Sequence, residues 1–138
     1  MEERMVRSAD EMMALGQEIG HGVGPGAMIA LVGDLGAGKT HFTKGVAQAL
    51  AGGEVSSPTF TLVNEVPLRG EMALYHFDFY RVGQVDELYD LGWDDYLERG
   101  GVVIAEWADL YPELVPVTAL WIKIEHVPEG RRVLIKHP

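Results

Sequence analysis

Residues 33–40 read Gly33-Asp34-Leu35-Gly36-Ala37-Gly38-Lys39-Thr40 and satisfy G-x-x-x-x-G-K-[ST] at every fixed position. At ordinary glycine usage those positions would coincide by accident in a chain of this length with a probability on the order of one percent. The flanks make coincidence poorer still. Ala27-Met28-Ile29-Ala30-Leu31-Val32 is an apolar run leading in, and the segment from His41 to Leu50 leading out places Phe42, Val46, Ala49 and Leu50 on one helical face. A buried strand, a glycine-rich turn and a helix aim backbone N–H groups and the positive end of the helix dipole at phosphate. Lys39 is then expected to reach the β- and γ-phosphates of a nucleoside triphosphate, and the Thr40 hydroxyl to ligate Mg²⁺.

Working outward, Ser8-Ala9-Asp10-Glu11 has the spacing of a helix cap, and Met12, Leu15 and Ile19 follow at helical intervals until Gly20 and Gly22. This predicts a first helix lying against the sheet, then a glycine–proline turn over 23–26. The second helix is expected to run to Ala51, with Gly52-Gly53 as its stop. Residues 59–66 and 72–79 are rich in β-branched and aromatic side chains around a short turn, so a hairpin is predicted there. Residues 85–98 read as one amphipathic helix tolerating Gly92. Gly101 to Glu106 reads as a central parallel strand, and residues 119–125 and 132–136 as a second hairpin around Val127-Pro128-Glu129-Gly130. The expected fold class is α/β, a phosphate-loop NTPase fold with a mixed parallel and antiparallel sheet flanked by helices.

The chain has 138 residues, which suits one domain over 1–138 with little room for a lid or a specificity insert. A net charge of −10 argues against a broad surface tracking nucleic-acid phosphates. With 0 cysteines, thiolate nucleophiles, disulfides and cysteine-ligated zinc are excluded. The charged N-terminus lacks an apolar signal core and no apolar run reaches membrane-spanning length, so a cytoplasmic, membrane-free protein is expected.

A phosphate loop needs a further acidic group to hold Mg²⁺ or orient water. Glu106 closes an apolar strand and is read either as that ligand or as a carboxylate capping the strand or pairing with a base. Asp78, on one strand face with Leu74 and His76, is read as a water-orienting group or general base, or else as the partner of Arg81 or Lys39. Arg81 is open between a charge stabiliser at the γ-phosphate and a structural partner of that carboxylate. His76 reads as a core or hydrogen-bonded histidine, and Trp107 as a core residue or a neighbour of the site. Ser56-Ser57-Pro58-Thr59-Phe60 stands where nucleotide-sensing loops follow a phosphate-loop helix, and equally reads as a Ser-Pro turn. Nothing resembles Asn-Lys-x-Asp, so no feature recommends guanine.

Together, GDLGAGKT, the segment Ser57-Pro58-Thr59-Phe60-Thr61-Leu62-Val63, His76-Phe77-Asp78-Phe79-Tyr80-Arg81 and Glu106-Trp107 resemble the TsaE (YjeE) family of small bacterial ATPases, in order and spacing that cover nearly the whole chain. The resemblance implies a weak Mg²⁺-dependent ATPase that assists a TsaB–TsaD pair in forming N6-threonylcarbamoyladenosine at position 37 of tRNAs reading codons that begin with A. The tRNA would be met only through that complex. It also implies catalytic roles for Lys39, Asp78 and Glu106, and Mg²⁺ on Thr40 and Glu106. ATP or ADP would lie on Gly36, Ala37, Gly38, Lys39, Thr40 and His41, with Ser8 and Arg131 near the nucleoside. Asp78 and Trp107 match family positions important for hydrolysis. The chain departs from the family at His41, where threonine is usual, at Ala108, where proline is common, and at Ser8, where some relatives are acidic. Two other readings of the loop are a small-molecule kinase and a nucleotide-dependent binding module with negligible hydrolysis.

Overall fold

The computed structural model describes residues 1–34, 36–50 and 62–138. The segment 56–60, the Gly52-Gly53 stop, Ala51 and the first residues of the predicted hairpin strand lie outside the described residues. Seven strands form one sheet: β1 (Glu2–Val6), β2 (Met28–Gly33), β3 (Val63–Pro67), β4 (Ala73–Asp78), β5 (Val102–Glu106), β6 (Leu120–Val127) and β7 (Gly130–Lys136). Their order is β1-β7-β6-β2-β5-β4-β3. The apolar run before the phosphate loop is thus the central strand, paired in parallel with β5 on one side and β6 on the other. β4 joins β5 in parallel, while β3–β4, β6–β7 and β1–β7 are antiparallel. The expected mixed sheet and both hairpins are present.

Helices cover both faces, as a sheet with buried parallel strands requires. α1 (Ala9–Gly22) and α2 (Lys39–Ala49) lie on one face, above a core that includes Ile29, Leu31, Leu74, Ile104, Ile122 and Phe42. The opposite face carries α3 (Val85–Leu91) and α4 (Trp93–Glu98) over Met28, Ala30, Phe77, Val103 and Ala105. Phe77 anchors α4 by edge-on contacts at ring centroid distances of 4.9 Å to Trp93 and 5.1 Å to Tyr96. Side-chain alternation places Leu74, His76 and Asp78 of β4, and Val102, Ile104 and Glu106 of β5, on the face that carries α2. His76, Asp78 and Glu106 therefore lie on the side of the phosphate-loop helix.

Four local outcomes refine the sequence reading. The Ser8 hydroxyl accepts from Glu11 N at 3.0 Å, so the cap forms at the predicted position. α2 closes at Ala49 with Leu50 as its cap. The helix expected over residues 85–98 is two helices, because Gly92 takes φ 98° and serves at once as C-cap of α3 and N-cap of α4. β1 is a strand the sequence reading did not contain; it pairs along β7 from Glu2–Ile135 to Val6–Arg131.

Candidate functional site

Gly36 and Gly38 have φ of 76° and 109°, backbone in which a Cβ is strained. A Cβ on Gly38 would also meet Met12 Cε at 3.2 Å. Gly38 begins α2 and contributes no side-chain cap to its first turn. A glycine-lined concavity at an uncapped helix start is an anion cradle, and the residues present therefore fit a phosphate chain. Thr40 is half-buried in that first turn.

Lys39 is 6% exposed. Its Nζ donates to Gly33 O at 2.6 Å, stands 3.9 Å from Glu106 Oε1 and lies 4.1 Å from the centre of the Trp107 ring. Burial pushes its pKa below the usual lysine value, and the Glu106 carboxylate leads the charges that oppose this, ahead of Asp78, Asp109 and Asp34. Trp107 holds its place beside Lys39 from a left-handed backbone, φ 59°, a sparsely populated conformation for a non-glycine residue. Tyr80 leans on the outer side of the same ring at 4.9 Å. Trp107 thus stands beside Lys39 and also packs, partly buried, against the core of the sheet face that carries α3 and α4.

Glu106 ends β5 beside Asp78, which ends β4 in the same register. One Glu106 oxygen, Oε2, is hydrogen-bonded to Nε2 of His76, and the other faces Lys39. This carboxylate is buried yet has one oxygen turned to the phosphate loop, the donor type Mg²⁺ prefers. Asp78 is engaged on both oxygens: Oδ1 accepts from Tyr80 N at 3.1 Å, capping a short 3-10 turn, and Oδ2 lies 3.2 Å from Arg81 Nε. The structural partnership of Asp78 and Arg81 is thus present. His76 is fully buried and hydrogen-bonded, as read.

A cavity of about 280 Å³ adjoins the loop, bounded among others by Ser8, Met12, Gly36, Gly38, His41 and Arg131. Arg131 is fixed there by donating from Nη2 to Gly36 O at 3.3 Å and from Nη1 to Gly130 O at 2.9 Å. Gly130 permits this turn, with φ 143° and Val6 O only 2.4 Å from where a Cβ would stand. The residues expected near the nucleoside therefore meet around one concavity, and Lys39, Asp78 and Glu106 meet at the carboxyl ends of β4 and β5. Sequence reasoning did not contain the His76–Glu106 bond or the approach of Trp107 to Lys39. The only sequence signal for the former was a histidine on an apolar strand face two residues before Asp78.

A sequence model of the family described as "Threonylcarbamoyl adenosine biosynthesis protein TsaE" matches residues 6–134. The chain belongs to the TsaE family. It is 46% identical over 109 residues to the tRNA threonylcarbamoyladenosine biosynthesis protein TsaE of Bacillus subtilis, covering 78% of this chain and 67% of that one. The TsaE protein of Treponema pallidum is 33% identical over 127 residues, 91% of this chain and 93% of its own. A crystal structure of Bacillus subtilis YdiB superposes with a TM-score of 0.80 at 33% identity, covering 99% of this chain and 84% of that chain. The fold is that of the phosphate-loop proteins. Among the described residues no helix is long and apolar enough to cross a membrane.

Proposed function

We propose that this protein binds and hydrolyses MgATP as an accessory to N6-threonylcarbamoyladenosine formation in tRNA, working with a TsaB–TsaD pair. The observation that carries the reading is the convergence of Lys39 with Glu106 Oε1 at 3.9 Å beside the glycine cradle, in a member of a family named for this biosynthesis. Thr40 and Glu106 are the groups that would hold Mg²⁺, which when bound neutralises charge on the phosphate oxygens. Lys39 leaves the Gly33 carbonyl to meet the phosphates, and the ligand then replaces the hydrogen bond it gives up. Asp78 orients the attacking water beside Glu106, while Arg81 keeps its carboxylate in place. Ser8 and Arg131 border the nucleoside end. Trp107, with Tyr80 behind it, shields the Lys39 ammonium and keeps its field directed at the phosphates.

The test is phosphate release from MgATP by the purified protein, with and without TsaB–TsaD, beside Lys39→Ala. Slow release that the pair accelerates and that the variant lacks is the expected outcome. Release unchanged in Lys39→Ala would remove the loop from the chemistry. A phosphorylated small molecule in place of free phosphate would make the protein a kinase.

A further inference from the structure

We propose that His76 is a positioning residue for Glu106, dividing the carboxylate so that one oxygen is fixed in the sheet and only the other serves the Mg²⁺ and nucleotide. The inference rests on the MgATP reading above. His76 is 0% exposed on β4, between strands β3 and β5, and its Nε2 is bonded to Glu106 Oε2. Its Nδ1 is buried and has no hydrogen-bond partner among the described residues. A ring proton there would be an unsatisfied buried donor, whereas a proton on Nε2 is shared with the carboxylate, so the geometry favours the Nε2–H tautomer donating to Glu106.

A glutamate has three side-chain torsions, and a free Glu106 at the end of β5 would spread its oxygens over many positions. The bond to a ring locked between strands removes that freedom. Oε2 is committed inward and Oε1 is left toward Lys39 at 3.9 Å. Register enforces the arrangement: Asp78 sits opposite Glu106, so His76, two residues earlier on the same strand face, reaches Glu106 from the core side. A hydrogen-bonded partner behind a ligating carboxylate orients it and is worth about 10–100-fold in metal affinity or activity.

The test compares His76→Phe, which keeps a ring without a donor, with His76→Gln, whose amide restores a donor at similar reach. Binding of Mn²⁺, standing in for Mg²⁺, to the ADP-loaded protein is followed by electron paramagnetic resonance, alongside ADP affinity without metal, kcat and KM for ATP, and the thermal midpoint. The expected result for His76→Phe is Mn²⁺ affinity and kcat each lowered about 10–100-fold, with metal-free ADP affinity and KM little changed, and recovery in His76→Gln. Wild-type Mn²⁺ affinity in folded His76→Phe would overturn the assignment. So would equal loss in both variants at wild-type thermal midpoints. Should His76→Phe not fold, His76→Asn, whose amide is too short to reach Oε2, takes its place against His76→Gln. Wild-type protein that binds neither ADP nor Mn²⁺ would overturn the MgATP reading and this inference with it.

Discussion

Asp78 has a structural role and, under the proposed function, a catalytic one, and substitution separates the two. Its Oδ1 caps the turn at Tyr80 N and its Oδ2 pairs with Arg81, while its register position opposite Glu106 is where the proposed function would have it meet water at the phosphates. Asp78→Asn keeps an acceptor for the cap but loses the charge. It is expected to melt within a few degrees of wild type while turnover falls by about 10²-fold, the size of a lost acid–base contribution. Asp78→Ala loses the cap as well and should cost a further ~1 kcal/mol in urea unfolding. Equal turnover in wild type and Asp78→Asn would leave Asp78 a purely structural group. The Asp78–Arg81 pair was legible because its members are three residues apart. The His76–Glu106 bond was not, because its members are 30 residues apart and meet only through the β4–β5 register. Trp107 was harder still, because a left-handed tryptophan contradicts local preference.

α1 and α2 meet through glycines rather than interlocking large side chains. A Cβ on Gly45 would stand 2.0 Å from Met13 O, and one on Gly16 would stand 2.1 Å from Phe42 O. The backbones touch there, and α1 carries Met12 to the edge of the phosphate loop as a result. Gly45→Ala or Gly16→Ala is expected to destabilise by about 1–3 kcal/mol or more, because the atoms a Cβ would meet are backbone and the helices must separate. Gly22→Ala, at the open end of α1 with nothing within 4 Å, should be neutral or slightly stabilising. Chemical denaturation of the three variants decides this, and Gly45→Ala as stable as wild type would mean the helices are not in such contact. Helix capping and the hairpins were legible from Ser8 and from turn residues such as Gly130. The glycines gave a weaker signal, since a glycine in a helical pattern reads first as a breaker; Gly92 does break the helix, with φ 98°, and Gly16 does not. β1 escaped notice because Glu2, Glu3 and Arg4 hide its alternation, and its pairing partner lies at the far end of the chain. Those same charges suit an edge strand, where they discourage pairing with another chain.

At the scale of the whole molecule the proposed function asks how a chain of net charge −10 would approach a partner while holding a polyanionic nucleotide. In that reading the lysine of the loop is the local answer to the phosphates, because Lys39 is enclosed while Asp34 and Asp109 beside it are exposed. The remaining acidic field is then free to steer the molecule toward a basic surface, which speeds encounter more than it tightens the final complex. If the TsaB–TsaD pair presents such a surface, the association rate should fall at least about tenfold as salt rises from about 0.05 M to about 0.5 M, while the dissociation rate changes much less. Stopped-flow mixing at several salt concentrations, with nucleotide held saturating, separates the two rates. An association rate indifferent to salt would assign docking to apolar contact instead. The glycine turn and the helix after it were legible from one octapeptide because backbone preference there is local. A surface for the proposed partner was not, because it would depend on charge summed over the whole fold and on the shape of a second protein.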